Sequence, residues 1–307
     1  RHACSQCTTQ CRTEAIQIEE DVRIQAHNCT ECMLCVSECP AGCFKTQGHD
    51  FYWLIDRLRN IQASVQLPVL GCTARPDALC HSQTSCFGFL SEEHILALSV
   101  FLEEGLQVNV TGCGDCRNGF ILDILKKRMA NVEVKTALNI SERIRLVHDK
   151  ADLDFRETPY DRRGFFNALK NITFLQAVGM FDNYDSSQEM QSYSAKKLPL
   201  RRELLNKTLK ALPEKAYRSL LENYYYIVNV DEDCNNCLAC IGMCPTGALK
   251  IEDNAEGRGL SFSSSLCSAC GLCESFCPQR SVRIEKGFFG EHPFEFSNMK
   301  GEVVCLW

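Results

Sequence analysis

The run Cys234-Asn-Asn-Cys237-Leu-Ala-Cys240-Ile-Gly-Met-Cys244-Pro245 decides the fold of the carboxyl-terminal part of the chain, and Cys267-Ser-Ala-Cys270-Gly-Leu-Cys273-Glu-Ser-Phe-Cys277-Pro278 repeats it. Three thiolates with this spacing can wrap one face of an iron–sulfur cubane, and the turn at proline carries the fourth thiolate to a neighbouring cubane. The spacing therefore predicts two adjacent 4Fe–4S clusters. We name their ligand sets the Cys234 site (Cys234, Cys237, Cys240 and Cys277) and the Cys267 site (Cys244, Cys267, Cys270 and Cys273).

The number and grouping of the cysteines favour metal binding over disulfide bonding. The chain has 307 residues and 22 cysteines, and its C-x-x-C steps would close only very small disulfide loops. Zinc also binds C-x-x-C pairs, but it needs four ligands from two pairs, and each run over-supplies it. The two runs resemble the bacterial two-cluster ferredoxin family over residues 229–287. The resemblance implies a ferredoxin-like module that passes single electrons.

An incomplete copy of this pattern lies at the amino-terminal end. One run is complete and ends at Pro40, but its partner run has Arg1 at the position of the first cysteine and Arg12 in place of proline. The same crossover of fourth ligands again predicts two clusters. We name their ligand sets the Cys29 site (Cys11, Cys29, Cys32 and Cys35) and the Cys4 site (Cys4, Cys7 and Cys39).

The Cys4 site lacks one ligand in this pattern. Three explanations are open: a cysteine upstream of Arg1, a three-iron cluster, or substitution by Cys43. We expect the upstream cysteine, because the chain starts at Arg1 without a methionine.

The segment between the two modules alternates strand and helix signals. Strands are predicted at residues 66–70, 106–110 and 132–134, with helices at 92–104 and 120–129 between them. Ser91 is the predicted N-cap of the first of these helices. Strand, helix, strand, helix, strand is the order of a parallel α/β sheet.

Four cysteines with a different spacing follow these strands, and we name them the middle site: Cys72, Cys86, Cys113 and Cys116. Cys72 and Cys113 follow strands at their carboxyl ends, where open α/β sheets bind ligands, and the other two lie in loops that lead into helices. The stretch from Cys86 to Gly119 resembles the small iron–sulfur subunit that links hydrogenase to heterodisulfide reductase in methanogens. The resemblance implies a further cluster, 2Fe–2S or 4Fe–4S. Buried structural cysteines are the alternative, and Cys80 and Cys305 are expected to be plain thiols.

Together these features predict an α+β chain. Ferredoxin-like modules at residues 1–49 and 229–288 flank a small parallel α/β domain at 50–150 and a helical linker at 151–228, and residues 289–307 form a tail. The net charge of −6 argues against a nucleic-acid binder, and no apolar stretch is long enough for a membrane span. No secretory signal is visible, so we expect a cytoplasmic protein.

The sequence favours a non-catalytic electron-transfer subunit with about four 4Fe–4S clusters and one further cluster in the middle domain. It contains no C-x3-C-x2-C triplet and no G-x-G-x-x-G after a strand, which weakens a catalytic interpretation. The expected partners are redox subunits: a flavoprotein, a hydrogenase, or a molybdenum or tungsten enzyme. Two alternatives are a reductase acting at the middle site with help from Cys80 or His81, and a cysteine-rich zinc scaffold.

Overall fold

A computed structural model describes residues 4–46, 50–157, 196–212, 214–254, 257–288 and 292–298. Half of the predicted linker, Cys305 and most of the predicted tail lie outside these residues. Helices and strands are mixed in the described part, and the middle segment contains a parallel sheet. Within these residue ranges, no helix combines the length and apolar character needed to cross a lipid bilayer.

The amino-terminal part consists of two short helices around a hairpin. Helix α1 (Gln6–Gln10) precedes strands β1 (Ile16–Ile18) and β2 (Val22–Ile24), which pair antiparallel, and helix α2 (Leu34–Glu38) follows. Each helix ends at the fourth cysteine of its run, and the two helices pack against each other. The hairpin therefore brings the two cysteine runs side by side.

The middle part is built on four parallel strands. Its elements are α3 (Phe51–Gln62), β3 (Val69–Cys72), β4 (Ser82–Thr84), α4 (Glu92–Phe101), β5 (Leu106–Asn109), α5 (Ile121–Thr136), α6 (Ile140–Arg143) and β6 (Ile144–Val147). The strand order is β4-β3-β5-β6, and every neighbouring pair is parallel. All four residues of β5 are buried, as is usual for a strand covered on both faces.

The predicted elements of this part are largely confirmed, with one clear error. Ser91 caps α4, because its hydroxyl accepts the backbone N–H of His94 while the His94 ring accepts the backbone N–H of Ser91. The predicted strand at residues 132–134 is wrong, since it lies inside α5. Val132 is buried and Val134 is 86% exposed. Burial in α5 follows the helical period, which a short V-E-V alternation conceals. The third strand is β6 instead, and β4 was not predicted.

The carboxyl-terminal part repeats the cysteine-rich arrangement and adds strands. Its elements are α7 (Leu200–Ala211), α8 (Glu214–Tyr224), β7 (Tyr226–Val230), α9 (Ala239–Met243), β8 (Leu249–Asn254), β9 (Gly257–Phe262), α10 (Leu272–Ser275), β10 (Val282–Lys286) and β11 (Ser297–Asn298). Strand β8 pairs antiparallel with β9, β9 with β11, and β7 with β10. Helices α9 and α10 pack together as α1 and α2 do.

The two buried clusters of side chains differ in composition. The larger one surrounds the parallel sheet and is made mostly of leucine, isoleucine, valine and phenylalanine, with contributions from α7 and α8. The smaller one belongs to the carboxyl-terminal part, and nearly half of its buried members are cysteines: Val228, Cys240, Cys244, Ala248, Leu249, Phe262, Cys267, Cys273 and Val282. Thiols therefore make up a large share of the apolar interior of the carboxyl-terminal part.

Candidate metal centres

The three complete cysteine runs share an unusual backbone conformation. In each, the residues immediately before and after the second cysteine have positive φ, between 53° and 73°: Glu31 and Met33, Asn236 and Leu238, Ala269 and Gly271. Five of these six residues are not glycine, and L-residues adopt this region at an energetic cost. Alternating left- and right-handed residues turn successive N–H groups toward one side and form concave sites that bind anions, including iron–sulfur clusters.

The backbone conformation after the last cysteine is also the same in all four runs. The third residue after that cysteine has positive φ in every case: Glu14, Gly42, Gly247 and Arg280. The next residue donates its N–H to the sulfur, with N···Sγ distances of 3.3 Å from Ala15 to Cys11, from Cys43 to Cys39 and from Ser281 to Cys277. Such bonds favour the thiolate form and tune the potential of a bound cluster.

The carboxyl-terminal part brings its predicted ligands together in two groups. Cys234, Cys237, Cys240 and Cys277 line one small cavity. Cys273 interacts electrostatically with the other three thiols of the Cys267 site, and burial together with these neighbours raises the pKa of Cys273 to about 12. Although burial opposes it, hydrogen bonds from Thr246 and nearby backbone N–H groups lower the pKa of Cys244. The grouping is the one that the crossover predicts.

The amino-terminal runs show the same crossover. Burial, and then the thiols of Cys32, Cys29 and Cys11, raise the pKa of Cys35 to about 11. Burial and the nearby thiols of Cys39 and Cys4 raise the pKa of Cys7. The residues of the Cys29 site and those of the Cys4 site therefore lie together as two separate groups.

The four thiols of the middle site line a single cavity at the carboxyl edge of the sheet. Burial is the main reason that the pKa is raised to about 12 for Cys86 and to about 11 for Cys113. Arg75 also lines the cavity, and its Nη2 donates to the Gly112 carbonyl oxygen at 3.1 Å. Its positive charge opposes the rise in thiol pKa. Sequence reasoning missed Arg75, because only folding brings it beside Cys113.

These donor sets fit clusters better than single ions. Among the described residues, no three Cys, His, Asp or Glu side chains surround one point closely enough to hold a single metal ion. The four sulfurs that ligate a cubane bind different iron atoms, so they lie further apart than the ligands of one ion. Soft thiolates, repeated N–H···S bonds and positive-φ loops all suit iron–sulfur clusters.

The Cys29 site packs directly against the middle domain. A Cβ at Gly88 would lie 2.0 Å from the carbonyl oxygen of Cys32, so only glycine allows this approach. Asn118 Nδ2 donates to the carbonyl oxygen of Thr30 at 2.8 Å. Cys32 and Cys86 are close enough to interact electrostatically. This junction places one predicted cluster beside the middle site.

Arg128 of α5 stabilises the same junction through hydrogen bonds to both segments. Its guanidinium donates to the carbonyl oxygens of Gly88 and Leu90, to Ser37 Oγ and to Glu38 Oε1, at distances between 2.6 and 3.0 Å. Ser37 Oγ in turn donates to the Gly88 carbonyl oxygen at 2.7 Å. A buried cation thus connects α2 of the amino-terminal part to the segment that carries Gly88.

The Cys4 and Cys267 sites border a second junction. A polar cavity of about 220 Å³ lies between the amino- and carboxyl-terminal parts, and its walls include Pro40, next to Cys39, and Ser268 and Ala269, between Cys267 and Cys270. Lys196 Nζ donates to the carbonyl oxygen of Cys244 at 2.6 Å, and a Cβ at Gly42 would lie 3.1 Å from Pro199.

Comparison with known proteins identifies part of the chain. Residues 233–281 match the family model described as a 4Fe-4S dicluster domain. The chain is 35% identical to the polyferredoxin protein MvhB of Methanothermobacter marburgensis over 69 residues, which are 20% of this chain and 16% of that protein. It is 32% identical to the archaeal-type glutamate synthase [NADPH] of Thermotoga maritima over 63 residues, 20% of this chain and 12% of that protein. It is 33% identical to the indolepyruvate oxidoreductase subunit IorA of Archaeoglobus fulgidus over 57 residues, 19% of this chain and 8% of that protein.

The chain thus spans less than a fifth of the length of each of these curated relatives. No solved structure matches it significantly. The prediction of an iron–sulfur, ferredoxin-type module at the carboxyl-terminal end is confirmed, and this module binds 4Fe–4S clusters.

Proposed function

We propose that the chain is an electron-transfer subunit whose thiol sites form one continuous path from the middle site to the Cys234 site. The observation that carries the proposal is the packing of the Cys32 carbonyl group on Gly88, two residues from Cys86. Electron tunnelling falls steeply with distance, so a relay needs neighbouring centres that lie close together. When bound, the clusters would accept and donate single electrons, while the chain fixes their spacing and their environment.

The junctions imply an order for the five sites. The middle site adjoins the Cys29 site through Cys86 and Cys32. The Cys29 and Cys4 sites exchange their fourth ligands, as do the Cys267 and Cys234 sites, which keeps the members of each pair together. The cavity bordered by Pro40 and Ser268 connects the two pairs. The path ends at the Cys234 site, where Cys237 is exposed and a partner can approach.

The relatives indicate the kind of partner. Two of the similar proteins are named as an NADPH glutamate synthase and as a subunit of an indolepyruvate oxidoreductase. By analogy, this chain exchanges electrons with an oxidoreductase of the flavoprotein, hydrogenase, or molybdenum or tungsten class. The middle site, at the opposite end from Cys237, supplies the second contact of the relay.

A reductase acting at the middle site is the second candidate, because the four thiols line a cavity as that hypothesis requires. The cavity measures about 30 Å³, whereas ligand pockets are typically about 300–1,000 Å³. His81 accepts the backbone N–H of Val69 at 2.8 Å through Nδ1, and its Nε2 contacts the carbonyl oxygen of Arg156 at 2.7 Å. Both ring nitrogens are therefore engaged, which favours the relay.

Anaerobic iron and sulfide analysis with EPR of the reduced protein tests the relay. About 16 irons per chain correspond to four cubanes, about 18 add a 2Fe–2S cluster, and about 20 add a fifth cubane. Zinc without iron and sulfide would refute the proposal in favour of the zinc scaffold. Turnover of a substrate by the isolated chain with a chemical reductant would instead support the reductase.

A second measurement tests the path itself. Cys29→Ala removes a ligand of the Cys29 site, and Cys80→Ala is the matched control because Cys80 lies outside all five sites. After addition of less than one electron per cluster, freeze-quench EPR should show slower exchange between the middle site and the other sites in Cys29→Ala only. Equal exchange in both variants, with the Cys29 site lost, would contradict the order of sites.

A further inference from the structure

The Cys4 site differs from the other ferredoxin-type sites by one missing thiol. Arg1 stands at the position that the first cysteine holds in the complete runs, which leaves Cys4, Cys7 and Cys39. A cubane bound by three thiolates leaves one iron without a protein ligand. The question is whether a residue near these three sulfurs can replace the missing cysteine.

Cys43 stands at a position that is directly comparable in all four runs. It is the fourth residue after the last cysteine of its run, where the other runs have Ala15, Ala248 and Ser281. Those three residues are small and are 1–2% exposed, packed against the sulfurs of complete sites. A thiol occupies this position only in the run whose last cysteine belongs to the incomplete site. The extra thiol therefore lies next to the one site that lacks a thiol.

The contacts of Cys43 point to the same site. Its backbone N–H donates to Cys39 Sγ at 3.3 Å, and its side chain forms a hydrogen bond with the Cys39 thiol. Cys7 and Cys4 are its other thiol neighbours within electrostatic range.

We propose that Cys43 is the fourth ligand of the Cys4 site, so that Cys4, Cys7, Cys39 and Cys43 hold a complete 4Fe–4S cluster. Ligation exchanges the thiol proton of Cys43 for iron, and no oxidation or reduction is involved. Because Cys43 is exposed, this ligand faces solvent, unlike the buried Cys39. The inference rests on the proposal that the amino-terminal part binds clusters.

Cys43→Ala is the variant that tests the inference. Alanine is the residue at the same position in two of the other runs, Ala15 and Ala248, so the backbone tolerates it. Cys39→Ala serves as the positive control for loss of the Cys4 site. Cys80→Ala is the negative control, because that thiol does not line the middle-site cavity and belongs to no cysteine run.

The readouts are the iron and sulfide content of the full chain, prepared anaerobically, and EPR of the oxidised protein. We expect no three-iron signal in the unaltered protein or in Cys80→Ala. Cys43→Ala should lose about one iron per chain and gain a three-iron signal, or lose about four irons if the weakened cluster dissociates.

Two results would overturn the inference. One is Cys43→Ala with full iron content and no three-iron signal in an experiment where Cys39→Ala loses a cluster, which would indicate another fourth ligand. The other is a three-iron signal in the unaltered protein. If Cys39→Ala also leaves the iron content unchanged, both the proposed amino-terminal clusters and the inference about Cys43 are refuted. If Cys39→Ala loses iron and Cys43→Ala does not, only the role of Cys43 is refuted.

Discussion

Replacing Gly88 with alanine should weaken the junction between the Cys29 site and the middle site. The added Cβ would stand 2.0 Å from the Cys32 carbonyl oxygen, and real Cβ atoms essentially never approach closer than 3.0 Å. The atom it would meet belongs to the backbone, so the two segments must move apart, because no side-chain rotation can relieve the clash. Overpacking of this kind costs about 1–3 kcal/mol. That cost corresponds to a shift of about 5- to 150-fold in the balance between docked and separated segments.

EPR of the fully reduced protein detects the change, because neighbouring paramagnetic clusters couple magnetically. In Gly88→Ala we expect weaker coupling between the Cys29 and middle sites and slower electron exchange between them, with unchanged iron content. Gly114→Ala is the matched control, since Gly114 lies between Cys113 and Cys116 and a Cβ there meets nothing within 4 Å. The reasoning is refuted if Gly88→Ala keeps the original coupling and exchange rate, or if Gly114→Ala loses them equally.

Three further results are expected. Arg128→Ala removes a buried cation from the carbonyl oxygens that it binds and should lower the free energy of unfolding by about 2–3 kcal/mol. Arg218→Ala, in an exposed ion pair, should lower it by less than about 0.5 kcal/mol. Denaturant titration measures both values, and equal losses would contradict this prediction. Burial raises the pKa of Cys113 to about 11, and the charge of Arg75 opposes the rise. Arg75→Gln should therefore raise that pKa further and move metal uptake at the middle site to higher pH. Iron content measured against loading pH tests this, and an unchanged midpoint would show that Arg75 has no such influence. Removal of iron should make residues 229–288 sensitive to protease while the parallel sheet stays resistant. Mass spectrometry of the fragments measures this, and a carboxyl-terminal part as resistant as the sheet would disprove a structural role for the clusters.

The thiol sites could be proposed from the sequence because the chemistry of a cysteine run is local. The spacing of a run such as residues 234–245 determines which sulfurs can reach one cubane, and the crossover of the fourth ligand follows from the turn at proline. The middle site was predicted from a different rule, the position of Cys72 and Cys113 after parallel strands. The structure brings together each of these groups.

The junctions between sites could not be predicted in this way. The close approach of Gly88 to Cys32, and the bond between Asn118 and Thr30, join residues far apart in the sequence, and no local pattern marks them. The misassigned strand at residues 132–134 has a related cause. Its alternating residues fit a strand locally, but burial of Val132 against the core and exposure of Val134 follow the helical period of α5.

Cys43 is an intermediate case. Its thiol is visible in the sequence, and alignment of the four runs by their last cysteine would have placed it beside Ala15, Ala248 and Ser281. What the sequence lacked was a reason to prefer it over a ligand elsewhere. The contact with Cys39 supplies that reason.

The different interiors of the two buried clusters have a consequence for how the protein is made. The parallel sheet has an apolar interior and can fold without metal, whereas the smaller buried cluster, in which nearly half of the members are cysteines, needs its inorganic core first. The folded sheet then offers Gly88 and Asn118 as a ready template for the Cys29 loop. Maturation should therefore proceed outward from the sheet, and a cell short of iron should accumulate chains with an ordered centre and unfinished ends.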